Sequence, residues 1–216
     1  HIPWIETVRP GKIHAQRTGF APSERSADAE NHRRRGKLHP PGFRFQTGFR
    51  LDPFPVFTYE VEGYRVEKTV FMPQDENTVA VEYRLTGASG DQPDAVQLEV
   101  RPLVAFRDYH ATTHENGALD PMVRTDDGIT TIKPYGDLPA LHFGHDSIAV
   151  DANGVWYRNF IYQIEQERGL DFREDLYSPF TLTFALSGEG RARIVASTER
   201  RPAADLDRMR QTELTR

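Results

Sequence analysis

Phe49-Arg50-Leu51-Asp52-Pro53-Phe54-Pro55-Val56-Phe57-Thr58-Tyr59 opens a stretch, running to Asp108, that decides the fold. Phe57, Tyr59 and Val61 alternate with Thr58 and Glu60, and Glu62-Gly63 turns the chain. Tyr64, Val66, Val70 and Met72 then share one face, opposite Arg65, Glu67 and Thr69. Val79, Val81, Tyr83 and Leu85 alternate with Thr78, Ala80, Glu82 and Arg84, and Val96, Leu98 and Val100 with Gln97, Glu99 and Arg101. Strand side chains point to opposite faces in turn, so four such runs predict antiparallel strands with one buried and one wetted face. Lys68 interrupts the apolar face of the second run and is expected at the sheet margin.

Outward from this array the grammar is similar but looser. Upstream, His39-Pro40-Pro41-Gly42 is a turn, and Phe43, Phe45 and Thr47 begin a strand. Pro53 and Pro55 lack amide donors, which places their segment at a sheet edge or strand start. Downstream, Tyr109 to Asp120 reads as a long loop. Met122 to Ile132 reads as a hairpin turning at Asp126-Asp127-Gly128. Leu141 to Phe143, Ser147 to Val150 and Val155 to Tyr157 are short strands, and Asn159 to Ser178 is polar and punctuated. Phe180, Leu182, Phe184 and Leu186, then Ala192, Ile194 and Ala196, are two more alternating runs. The fold class is therefore all-β, a large antiparallel β-sandwich over residues 37–200. Pro202 stops the last strand, and Ala203 to Leu214 reads as a helix with Leu206 and Met209 inward, a linker over 201–216.

Residues 1–36 differ from this. They are rich in Arg, His, Ala, Glu and Ser, carry His32-Arg33-Arg34-Arg35, and show no sustained period. They read as a divergent, basic, poorly ordered leader rather than an arm for an anionic partner.

Composition bounds the function. The chain has 216 residues, 38% hydrophobic and 11% aromatic, enough for a real core. Its 27 basic and 32 acidic residues mix well after Phe43, which argues against a nucleic-acid binder. No run approaches a membrane span, and no apolar core with a small-residue cleavage site follows His1. With zero cysteines, the expectation is a cytoplasmic protein without disulfides or cofactor.

Two constellations could carry chemistry. Arg107-Asp108-Tyr109-His110 ends a strand and opens the long loop, with His114 beyond. Asp108, His110 and His114 are of types that suit zinc, though zinc sites need more convergent ligands than this spacing supplies. His142 and His145 read as solvated loop histidines. The densest polar cluster is Tyr162, Glu165, Glu167, Arg168, Asp171, Arg173, Glu174 and Asp175. Its carboxylates could act as acid and base on a glycosidic bond, bind sugar hydroxyls, or pair across a domain interface. Trp156, Tyr157, Phe160 and Tyr162 could stack on sugar rings or fill the core. The residues leave these alternatives open.

Four pieces together resemble the N-terminal domain of bacterial and archaeal glycogen debranching enzymes, the amylo-α-1,6-glucosidases. They are Phe49 to Tyr59, Val66-Glu67-Lys68 with Asn77-Thr78-Val79, and Arg101-Pro102-Leu103 running into Arg107-Asp108-Tyr109-His110. The fourth is Trp156-Tyr157-Arg158-Asn159 through Tyr162, Glu165, Glu167-Arg168-Gly169-Leu170-Asp171 and Glu174-Asp175-Leu176. The match runs from about Gly36 to the end, in the family's order. The resemblance implies a sandwich packed on a C-terminal (α/α)6 barrel that carries the catalytic carboxylates and removes α-1,6-linked glucose from glycogen-type branches. It implies no catalytic residue in this chain, and α-glucan and the barrel as partners. Arg107, Asp108, His110, Trp156, Tyr162, Glu165, Glu167, Arg168, Asp171, Glu174 and Asp175 are then expected to face barrel or glucan. The barrel itself and the family's opening segments are missing, so a truncated product is expected. A stand-alone carbohydrate-binding module, using Trp156 or Tyr162, is the alternative.

Overall fold

A computed structural model describes residues 4–10, 44–88, 95–108, 111–187 and 190–216. Its strands form three antiparallel sheets, with two α-helices among the described residues. The largest sheet has eight strands in the order β2 (Gln46–Leu51), β3 (Pro55–Val61), β4 (Tyr64–Phe71), β5 (Thr78–Ala88), β14 (Arg191–Ser197), β9 (Leu141–His145), β8 (Ile129–Ile132) and β7 (Val123–Asp126). A second sheet runs β1 (Trp4–Pro10), β6 (Ala95–Pro102), β13 (Thr181–Ser187) and β10 (Ala149–Asp151). The third is a two-stranded ribbon, β11 (Val155–Ile161) with β12 (Arg173–Ser178), with the short helix α1 (Gln163–Glu167) at its tip.

The two larger sheets face each other as a sandwich. Tyr64, Val66, Val81, Tyr83, Leu85, Phe143 and Ile194 from one meet Leu98, Val100, Leu182, Phe184 and Leu186 from the other in one core. The alternation in the sequence is the cause, since every second residue of β5, β6 and β13 falls on the inner face. Asp127 and Gly128 have φ of 49° and 70°, the left-handed pair a two-residue hairpin turn requires, as their sequence predicts.

The outer face departs from the expectation of wetting. Ala80, Val195 and Phe71 form a second cluster with Leu206 and Met209 of α2 (Leu206–Leu214), with Phe54 packed against it. The C-terminal segment folds back after a single 3-10 turn at Ala203–Asp205 and roofs β4, β5 and β14. Ala80 and Glu82, read as solvent-facing, are therefore buried. Gly144 marks how closely this segment approaches: a Cβ there would lie 2.0 Å from the carbonyl oxygen of Arg201.

Other corrections follow from long-range packing. Met72, read on the buried face, is 63% exposed because β4 ends at Phe71. His142 and His145 sit on β9 rather than in a loop. His145 is buried between Thr130 Oγ1, 2.9 Å from Nε2, and Ser147 Oγ, 2.8 Å from Nδ1. The stretch from Asn159 to Ser178 holds α1 and β12, where the sequence shows only polarity. Lys68 Nζ lies 5.7 Å from the centroid of the Tyr83 ring. Within the stretch set apart as a leader, Trp4–Pro10 pairs with β6 from Val96 to Pro102, and residues 11–43 lie outside the described residues.

Candidate functional site

The loop after β6 meets the β11–β12 ribbon, and this contact gathers most of the residues singled out in the sequence. It begins with an isolated bridge in which the Val104 amide donates to the Tyr177 carbonyl at 2.8 Å. Beyond it, alternation on β12 turns Glu174 inward, 1% exposed. Four donors converge on its carboxylate. Arg107 Nε and the Thr113 amide, at 3.2 Å, donate to Oε1; Arg107 Nη2, at 3.1 Å, and Tyr162 Oη donate to Oε2. A buried charge needs this kind of saturation to be tolerated.

Electrostatics follow from the geometry. Burial opposes ionisation of Glu174 and is the largest single influence, but the bonds from Arg107, Tyr162 and the Thr113 amide together outweigh it. They hold the carboxyl below its usual value. Burial, and then the bond given to Glu174, push Tyr162 up to about 12. Arg107 is raised, chiefly by its bond to Glu174. A general acid for glycoside cleavage needs a raised carboxyl, so Glu174 is shifted in the wrong direction for that task.

Asp175, next along, ties the same loop by its other side. Oδ1 accepts from the Asn159 amide at 2.8 Å, Oδ2 from the Glu115 amide at 3.1 Å, and the Asp175 amide donates to Thr113 O at 2.7 Å. Asn159 reaches this position with a φ of 64°, a conformation Asn tolerates better than most. Thr112 Oγ1 donates to Asp171 at 2.6 Å, and Arg158 Nε donates to Glu115.

Of the residues expected at a site, then, the fold brings together Arg107, Tyr162, Glu174, Asp175 and Asp171. Glu165 and Arg168 pair with each other on and just after α1 at 3.3 Å, and Glu167 is exposed at its end. Asp108 is exposed beside Arg107, which donates to its carbonyl. His110 lies outside the described residues. His114 pairs with Asp175 at 3.8 Å, and among the described residues no group of three or more His, Asp or Glu could hold a metal ion. Trp156 is half-buried against the core, its ring 5.3 Å from that of Tyr177, and so gives no open stacking platform. Thr112, Thr113, Glu115, Arg158 and Asn159 were not legible as site residues. Most of their bonds run through backbone amides, which leave no residue-type signal.

The arrangement is a clamp: one polar loop fastened to one ribbon by two carboxylates, with those carboxylates spent on the fastening. The family model described as glycogen debranching enzyme N terminal matches residues 17–192. The chain belongs to that family. The match begins inside the stretch that the sequence sets apart before Gly36; it spans the clamp and every strand from β2 to β13, while β1 and most of β14 lie beyond its ends. Among curated proteins none matches the chain significantly. No helix among the described residues is long and apolar enough to cross a membrane.

Proposed function

We propose that this chain is the non-catalytic β-sandwich domain of a glycogen debranching enzyme, supporting a helical catalytic barrel and contacting glucan. The carrying observation is the setting of Glu174: 1% exposed, saturated by Arg107, Tyr162 and Thr113, and held by those bonds below the usual carboxyl value. A carboxylate so engaged positions a loop and has no lone pair left to move a proton for a substrate. The ribbon that the clamp fixes carries Ile161, Ile164 and Leu170 exposed at its tip, by 45%, 69% and 50%. Apolar side chains grouped in this way suit burial against a partner domain. On this reading Glu167 and Arg168, exposed on the same tip, and the half-buried Glu165 rim that contact, in the cytoplasm where glycogen is degraded.

The test is turnover of a branched limit dextrin. The chain alone should release no glucose, and a barrel domain of the family should be active only when it carries or is mixed with this sandwich. Release of glucose by the chain alone overturns the reading.

A further inference from the structure

A cavity of about 200 Å³ lies on the outer face of the eight-stranded sheet, under the end of α2, with no residue of the clamp's ribbon in its lining. Cross-strand register builds its floor. Arg50, Val56, Thr69 and Glu82 are successive partners across β2, β3, β4 and β5, and Glu67 and Arg84 are partners in the adjoining row. Alternation along each strand puts all six on one face. Arg210 of α2 and Phe54 complete the wall.

The charged groups here are unevenly satisfied. Arg50 grips Glu67 with both terminal nitrogens, at 2.6 and 2.8 Å. Glu82 is different: its side chain is 5% exposed, with Arg210, Arg191 and Arg84 at 3.1, 3.7 and 3.9 Å. Yet Glu82 Oε2 makes no hydrogen bond, and Arg210 Nη2, 3.1 Å from Glu82 Oε1, makes a charge contact without hydrogen-bond geometry, although both atoms are buried. Buried charges in good hydrogen bonds are tolerated, whereas an unused acceptor beside a donor held only by charge leaves a cost that a ligand can relieve.

The lining says what such a ligand is. Three guanidiniums (Arg50, Arg84, Arg210) face three carboxylates (Asp52, Glu67, Glu82), so neither an anion nor a cation is favoured. Pro53, Phe54, Val56 and Leu214 supply apolar wall. The volume is below the roughly 300–1,000 Å³ of a drug-sized site, which leaves room for one ring. A neutral ring with an apolar C–H face and adjacent hydroxyls, each both donor and acceptor, meets all three conditions. We propose that this cavity binds a single hexopyranose unit, free or at the end of a glucan chain. A small rotation of Glu82 and Arg210 gives both their missing bonds to ring hydroxyls. The proposal rests on the reading above only in the choice of α-linked glucose as probe.

The test is an amide chemical-shift titration of the 216-residue chain with maltose, maltoheptaose and inorganic phosphate. Maltose should move amides around 50–56, 67–69, 82–84 and 210–214, saturating at about millimolar concentration, the strength expected of one sugar ring. Maltoheptaose should move the same amides, and phosphate should not. Replacing two of the lining cations, in an R50A/R84A variant, should weaken the response at least about tenfold without altering amides at 107–116. Saturation by phosphate in place of sugar overturns the proposal, as does a requirement for maltoheptaose. Shifts confined to 107–116 and the β11–β12 ribbon would overturn it while sustaining glucan contact by the clamp. Silence everywhere would remove glucan contact from both readings and leave the supporting role to stand on the turnover test.

Discussion

Replacing Arg107 by Met isolates the clamp. Glu174 has four donors, two of them from Arg107, so the variant keeps only Tyr162 and the Thr113 amide. Breaking a fully buried pair from one side costs about 3–5 kcal/mol. The Arg107 side chain is 23% exposed, so water reaches part of the gap, and two donors survive. The expected loss is therefore lower, about 2–3 kcal/mol, or a fall in Tm of about 4–12 °C for a chain of this size. Urea unfolding followed by the fluorescence of Trp156, whose ring adjoins Tyr177 on the ribbon, in a W4F background measures it. In an E174Q background the same substitution should cost less than about 1 kcal/mol, because no buried charge is orphaned. pH gives a second check. Glu174 is depressed in the folded chain, so its contribution is full above the ordinary carboxylate value, about 4.3, and is lost as pH falls through the lowered value. The gap between parent and R107M should accordingly hold from pH 7 to about pH 5 and narrow as pH falls below about 4.3. A loss below about 1 kcal/mol at pH 7, or the same loss in both backgrounds, would refute the clamp as argued.

Three further outcomes are expected. Leu206→Ala, at a fully buried position of α2, should cost about 2–5 kcal/mol in a thermal melt and hasten tryptic cleavage at Arg208 and Arg210. Gly144→Ala should cost about 3 kcal/mol or more in the same melt, since its methyl meets the Arg201 backbone and not a movable side chain. Burial lowers the pKa of both His142, where Arg200 adds to the effect, and His145, where Asp146 opposes it. The unfolded chain then takes up protons first, so stability should fall as pH drops below about 6.5. An H142Q/H145Q variant, compared by Tm from pH 7 to 5, should show a shallower slope, and an unchanged slope would place that dependence elsewhere.

The sequence by itself determined the strands and the sandwich. Val96, Leu98 and Val100, or Leu182, Phe184 and Leu186, state a period of two, and Asp126-Asp127-Gly128 states a turn. Both signals are local, because pleat direction and left-handed backbone depend on the residue and its immediate neighbours. The sequence marked Arg107 in one polar stretch and Tyr162 and Glu174 in another, and the fold brings the two together. Only tertiary structure decided what they do together. Arg107 and Glu174 are 67 positions apart, and a carboxylate's role turns on whether its lone pairs are already taken. Ala80 and Glu82 carry the same lesson: alternation marks them as the outer face of β5, but whether an outer face is wet depends on what folds over it. Here α2 returns more than a hundred residues later and covers them, as no window along β5 could show.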